Sequence, residues 1–82
     1  MNIYQYVFTS VCPSDGDTII YRLEICTNRT IMAEHIKTAT ALHKSGYQEQ
    51  IADDLYRQFG GVQIMHGVHQ GVEIFTLRGA QL

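Results

Sequence analysis

The 82-residue chain lacks most of the features that identify a functional class at sight. It has no tryptophan and one proline, and its six lysine and arginine residues are outnumbered by eight aspartate and glutamate residues. Without a cluster of basic residues to neutralise phosphates, we expect no nucleic-acid partner. No apolar run approaches the roughly 20 residues of a membrane span, so we expect no membrane partner. Residues 1–6 also lack the basic and apolar regions of a signal peptide.

Cysteine is scarce as well, since only Cys12 and Cys26 are present. If residues 3–11 and 18–26 form a hairpin, Cys12 lies at the turn and Cys26 lies opposite Ile3 at the far end. At about 3.3 Å per residue this separation far exceeds the ~7 Å limit for the Cα atoms of a disulfide. Two unpaired thiols favour a reducing, cytoplasmic location. A chain this small buries only about 60% of its unfolded surface, so we expect self-association to complete the core.

Residues 3–11 and 18–26 are predicted to be strands, because β-branched and aromatic side chains alternate along them. The first strand is apolar on both faces, with Tyr4, Tyr6 and Phe8 on one and Ile3, Val7 and Val11 on the other. The second places Ile19, Tyr21, Leu23 and Ile25 on one face, opposite Thr18, Arg22 and Glu24. This pattern predicts a sheet covered by helices on one side and by a partner subunit on the other.

The apolar period then changes to three and four, which predicts a helix with Thr30 as its N-cap and Gly46 as its stop. Its apolar or boundary positions are Met32, His35, Ile36, Ala39, Leu42 and His43. Ser45 and Gln48 match a capping box, so a second helix should begin at once. The core stripe of that helix is predicted to be Tyr47, Ile51, Leu55 and Phe59, ended by two glycines.

Two further strands are predicted at residues 62–66 and 72–77, with a turn at Gly67, Gln70 and Gly71 between them. The order is therefore β-β-α-α-β-β, within a single domain of residues 1–82. The fold class is α+β, with two layers: an antiparallel sheet and a helical pair on one of its faces. We expect an oligomeric barrel.

Three sets of side chains are candidates for chemistry. Cys12 ends the first strand and is the best nucleophile, but neighbouring carboxylates do not activate a thiol, so a histidine or a bound substrate would have to do so. Glu49, beside Gln48 at the start of the second helix, offers two coplanar acceptors to the N–H edge of a guanine-like or pterin-like ring. The same two residues also suit a helix first turn. A weaker alternative is a metal site formed by Cys12, His66 and His69.

These residues and this order resemble the tunnelling fold (T-fold), which includes GTP cyclohydrolase I, dihydroneopterin aldolase and the nitrile reductase of queuosine biosynthesis. Residues 8–13 (FTSVCP), then Gly16 and Asp17, are similar to the reductase's F-T-S-L-C-P-x-T-G-Q-P-D. The resemblance implies that Cys12 attacks a nitrile and that Asp17 donates a proton. It implies that Glu49 anchors the substrate, with Gln48 in place of the family's histidine.

The second half is more similar to the cyclohydrolase: residues 48–55 (QEQIADDL) resemble its Q-E-R-L-T-x-Q-I-A-x-x-L, and residues 76–79 (TLRG) its T-M-R-G. The cofactor is left open. The reductase implies NADPH, but of its E-S-K-S-L-K helix only Glu34 and a shifted lysine, Lys37, are present. Zinc is not expected, because no C-E-H-H follows Cys12 and residues 62–77 contain no cysteine.

The sequence therefore predicts a homo-oligomeric T-fold protein that binds a pterin or (deaza)guanine ring between subunits. A nitrile reductase-like or cyclohydrolase-like activity at Cys12 and Asp17 is the enzymatic version of this prediction. The alternative is a non-catalytic α/β interaction module, of the kind that phages or mobile elements use to bind a host protein.

Overall fold

Four antiparallel strands form one sheet in chain order, and two helices inserted between the second and third strands cover one of its faces. The computed structural model describes residues 1–80. The strands are β1 (Asn2–Val11), β2 (Thr18–Thr27), β3 (Val62–His69) and β4 (Val72–Arg78), and the helices are α1 (Ala33–Ala41) and α2 (Gln48–Phe59). The predicted β-β-α-α-β-β order and the α+β class are confirmed.

The β1–β2 hairpin has the predicted register, with Val11 opposite Thr18 and Ile3 opposite Cys26. The two cysteines therefore lie at opposite ends of the hairpin, and both are free thiols. Each of these two strands is one residue longer than expected, because the ladder continues through the Asn2–Thr27 pair.

The second hairpin has a shorter turn than predicted, because β3 continues through Gly67 to His69. Gln70 and Gly71, with φ angles of 51° and 80°, form a two-residue connection of the left-handed type that suits the twist of a hairpin. Gly67 is part of the strand for a packing reason. A Cβ atom there would lie 2.6 Å from the Tyr21 ring, so only glycine lets that ring pass under β3.

The helix-facing side of the sheet contains the core. Tyr21, Leu23 and Ile25 of β2 are buried against Ile51 and Leu55 of α2. Of the predicted α2 stripe, Ile51, Leu55 and Phe59 are buried, as expected. Tyr47 is half exposed, because it is the N-cap and precedes the first helical turn.

The predicted helix boundaries are wrong in three places. Met32, and not Thr30, is the N-cap of α1, and that helix ends at Ala41 with Leu42 as its C-cap, well before Gly46. The Ser45–Gln48 capping box does not form, since α2 has Tyr47 as its N-cap and no side-chain capping bond.

The reason for the early end of α1 is a competing backbone partner. Residues 44–46 lie alongside the last residue of β1, where the N–H of Val11 donates to the carbonyl of Lys44 at 3.0 Å. The N–H of Gly46 donates to the carbonyl of Val11 at 3.1 Å. These bonds draw the chain out of the helix and carry it across the end of the sheet.

The other face of the sheet is uncovered and largely apolar. Ile20 is 65% exposed and Phe75 is 60% exposed, values far above those of the helix-facing side. The other exposed apolar side chains of this open face are Ile3, Val7, Val11, Val62, Val68 and Leu77. β1 and β4 are the two edge strands. Among residues 1–80, no helix has the length and apolar character needed to cross a membrane.

Candidate functional site

Both hairpin turns and the start of α2 lie at the same end of the sheet, which we call the hairpin end. The turns touch each other there, since the Gln70 amide donates to Asp15 Oδ2 at 3.0 Å. The structure therefore brings the Cys12 loop close to the beginning of β4, although 55 residues separate Asp15 from Gln70 along the chain.

Cys12 is the first residue after β1, and its side chain is turned inward with 7% exposed. The loop that follows is tied to it by two backbone bonds. The N–H of Cys12 donates to the carbonyl of Asp17 at 2.8 Å, and the N–H of Gly16 donates to the carbonyl of Cys12 at 2.9 Å. Gly16 has a φ of 78°, which is the left-handed conformation that glycine adopts at least cost.

Asp15, which the sequence did not single out, is the carboxylate beside the thiol. Its pKa is lowered, chiefly because its Oδ1 accepts the backbone N–H of Asp17 at 2.9 Å. The Gln70 amide and the Cys12 thiol lower that pKa further. Asp17 supplies backbone groups to the same loop, while its side chain is exposed to solvent. Asp15 is therefore the carboxylate that the loop places near the Cys12 thiol.

Tyr21 lies beneath Cys12 in the core. Burial raises the pKa of the Tyr21 phenol, and the nearby Cys12 adds to this rise. The ring of Tyr21 stacks on Phe8 with centroids 5.4 Å apart and lies 6.0 Å from the ring of His69. A continuous row of side chains thus leads from Cys12 through Tyr21 to His69.

The Gln48 side chain forms a set of hydrogen bonds within the protein. Its side chain is buried at 6% exposed, and the amide nitrogen lies 3.0–3.1 Å from three acceptors: Met65 O, Ile74 O and Thr76 Oγ1. Its carbonyl oxygen lies 2.9 Å from Nε2 of His69. The amide joins the first turn of α2 to both strands of the second hairpin.

Glu49 points the other way, into solvent. Its side chain is 79% exposed, and its nearest cation is Arg78 Nη2 at 3.6 Å. Arg78 is held more firmly by Asp53, at 2.7 Å. The Asp53 bond is also the first cause of the raised pKa of Arg78.

Glu49 stands at one side of an open groove of about 580 Å³ that runs along edge strand β4. The groove has apolar walls with a few polar groups: Tyr47, Gln48, Glu49, His69, Ile74, Phe75, Thr76, Leu77 and Arg78. A carboxylate, an imidazole and a guanidinium beside apolar walls are the elements of a site for a small, partly polar ligand.

The three residues of the metal alternative are not brought together. His69 faces the helices, whereas His66 lies on the open face, where it pairs with Glu73 at 3.1 Å and stacks on Phe75 at 4.6 Å between ring centroids. Among residues 1–80, no group of three or more histidine, cysteine, aspartate or glutamate side chains is arranged to hold a metal ion.

The remaining histidines do not line the β4 groove. His43 follows α1 and forms a 2.7 Å pair with Asp54 of α2. Burial opposes ionisation of Asp54, but hydrogen bonds from His43 and Gln58 outweigh it, and the pKa of Asp54 is lowered. His35 is exposed on α1.

The order of elements and the single helical layer are those of the tunnelling fold. The crystal structure of the archaeosine synthase QueF-Like, in the apo form, superposes on this chain with a TM-score of 0.73 and 16% sequence identity. The superposition covers 99% of this chain and 95% of that one, and it confirms the T-fold. No protein-family model and no curated protein matches the chain.

The Asp15 contacts predict how this carboxyl group titrates. Its pKa should lie below the ordinary aspartate value in an NMR titration, and Gln70→Ala should raise it by removing one donor. Because the folded-state pKa is lowered, the Asp15 carboxylate stabilises the fold above the unfolded-state pKa, and that contribution disappears as the pH falls through the folded value. Gln50→Ala, on the exposed side of α2, is the control. An unchanged Asp15 pKa in Gln70→Ala would contradict the contact.

Proposed function

We propose that this T-fold chain binds a guanine-like or pterin-like ring in the β4 groove, with Glu49 as the anchor. The observation that carries the proposal is the position of the Glu49 carboxylate, which is ionisable, solvent-accessible and placed beside apolar walls on an unpaired sheet edge. Two adjacent N–H donors of such a ring match the two oxygens of one carboxylate in a single plane. One face of the ring would pack on Ile74, which lies on the helix-facing side of β4 beside α2.

A second copy of the chain would close this groove. The strands alternate in direction from β1 to β4, so β4 of one copy and β1 of the next can pair antiparallel with all helices on the same side. The neighbouring Cys12 would then lie at the same end of the sheet as Glu49. Closed into a barrel, such an assembly would also pair both free edges and enclose the apolar open face.

Glu49→Gln tests the anchor. The amide replaces one acceptor by a donor, so the variant should bind guanine and pterin at least about tenfold more weakly, as expected for lost hydrogen bonds to a charged group. Isothermal titration calorimetry on the purified protein gives the affinities. Glu34→Gln in the first turn of α1 is the matched control, because Glu34 is also an exposed helix carboxylate but lies outside the groove.

Two results of this experiment would count against the proposal. Equal affinity of Glu49→Gln and the parent would remove Glu49 from the site. No binding of either ring by the parent would refute ring recognition and would favour the alternative of a non-catalytic interaction module.

Thr9→Pro tests the assembly. The N–H of Val11 points away from β2, toward Lys44, and N–H directions alternate along a strand, so the N–H of Thr9 also points outward. Proline at position 9 removes this donor and leaves the β1–β2 bonds in place. Sedimentation at micromolar concentration should show an oligomeric parent, an oligomeric Thr9→Ala control and a smaller Thr9→Pro species with unchanged far-UV circular dichroism. A monomeric parent protein would refute the proposed interface between β4 and β1.

The enzymatic version of the proposal assigns the nucleophile to Cys12. Its sulfur would add to the nitrile carbon of a cyano-substituted deazaguanine, and the thiol proton would pass through Asp15 or Asp17 to the nitrile nitrogen, giving a thioimide. The proposal stops at this adduct. Glu34 and Lys37 are the only residues here that correspond to the reductase's NADPH-binding helix. The proposal therefore includes no reduction step.

Intact-mass measurement tests this addition. The parent should gain the mass of one nitrile per chain and absorb at a wavelength where neither partner absorbs, whereas Cys12→Ala should do neither. Cys26→Ala is the control thiol, because Cys26 lies at the opposite end of the hairpin. An adduct that survives in Cys12→Ala, or none in the parent, would remove Cys12 from catalysis.

A further inference from the structure

The orientation of the Gln48 amide is fixed by its surroundings. Two of the three groups around its nitrogen are the backbone carbonyls of Met65 and Ile74, which can only accept a hydrogen bond. The nitrogen must therefore face the strands, and the amide oxygen must face His69. Exchanging the two atoms would place an acceptor against two acceptors in a buried site.

This orientation decides the protonation of the His69 ring. The Gln48 oxygen can only accept, and it lies 2.9 Å from Nε2, so Nε2 carries a hydrogen. The opposite tautomer would let Nε2 accept from the Tyr21 hydroxyl, but that contact is longer, at 3.4 Å. It would also leave two lone pairs facing each other between His69 and Gln48. In the neutral ring, Nδ1 is then the unprotonated nitrogen.

Nδ1 of His69 is free to accept a hydrogen bond from a ligand. Within residues 1–80 it has no hydrogen-bond partner, and the one buried side-chain polar atom without a partner is Ser10 Oγ. Nδ1 is therefore reached by solvent. His69 lines the same groove as Glu49, so its Nδ1 is available there as a second acceptor besides the carboxylate.

We propose that His69, held by Gln48 with its hydrogen on Nε2, is a specificity-determining residue that accepts a second ring N–H of the ligand through Nδ1. This inference rests on the proposed function and narrows it. A free purine-type base has an N–H in its five-membered ring, whereas a 9-substituted base has none. The second ring of an oxidised pterin carries only acceptor nitrogens. The groove should therefore prefer free purine-type bases to both of these.

The tautomer is tested on the free protein, without any ligand. At about pH 8, above the ordinary histidine pKa of about 6.5, the ¹⁵N shifts of the His69 ring should show a protonated Nε2 and an unprotonated Nδ1. His69→Phe assigns the signals by their loss, and Gln48→Met should abolish the preference for this tautomer. A ring protonated on Nδ1 in the parent overturns the inference, whether or not any variant folds.

The ligand preference is tested with guanine and 9-methylguanine by calorimetry. The parent should bind guanine about five- to tenfold more tightly, as one neutral hydrogen bond allows, and His69→Phe should bind the two equally. If His69 had only a structural role, His69→Phe would change the stability of the protein but not the ratio of the affinities for guanine and 9-methylguanine. An unaltered ratio would overturn the inference, and Glu49-dependent binding of guanine would still support the proposed function. If the parent binds neither ring, the proposed function fails and the ligand part of the inference fails with it. The tautomer measurement does not depend on that result, because it is made without a ligand.

Discussion

The arrangement of the hairpin end depends on the amide of Gln48. One side chain in the first turn of α2 bonds to β3 through Met65, to β4 through Ile74 and Thr76, and to the strand end through His69. The bonds to Met65 and Thr76 are buried and the other two are partly buried. Since an unpaired buried polar group costs about 1–3 kcal/mol, a shift of the helix start along the strands would be opposed by the loss of several bonds together. Glu49 is the next residue, and its position beside β4 follows from this attachment.

The strands and the helix-facing stripe could be predicted from the sequence, because a period of two or of 3.6 reflects burial on one face. The register of the first hairpin followed as well, with Ile3 opposite Cys26, since a slip by one residue would expose Tyr21 and Leu23. The helix ends could not be predicted in the same way. Residues 44–46 match a helix stop and a cap locally, but they form backbone hydrogen bonds with Val11 instead, which is distant in the chain.

The candidate site was predictable only where it depends on local motifs. Cys12 and Glu49 occupy recognisable contexts, and the structure places both at the hairpin end. Asp15 could not be preferred to Asp17, because the preference arises from Gln70, which is 55 residues away. The buried hydrogen bonds of Gln48 could not be predicted, since a glutamine before a glutamate suits a helix start, a ligand contact and a buried link equally well. Gly67 decides between these roles, because the absence of a Cβ atom there makes room for Gln48 and Tyr21.

The exposure of Glu49 connects ligand binding to assembly. Water competes for a carboxylate that is 79% exposed, so each bond to a ring N–H contributes little in the single chain. A second copy laid on β4 would remove this water, lower the local dielectric and strengthen the same bonds. A ligand that binds only the assembled form would in turn favour assembly by mass action. A small domain with two free edges and an uncovered apolar face can thus obtain from self-association both the remainder of its core and the closed surroundings that its groove lacks.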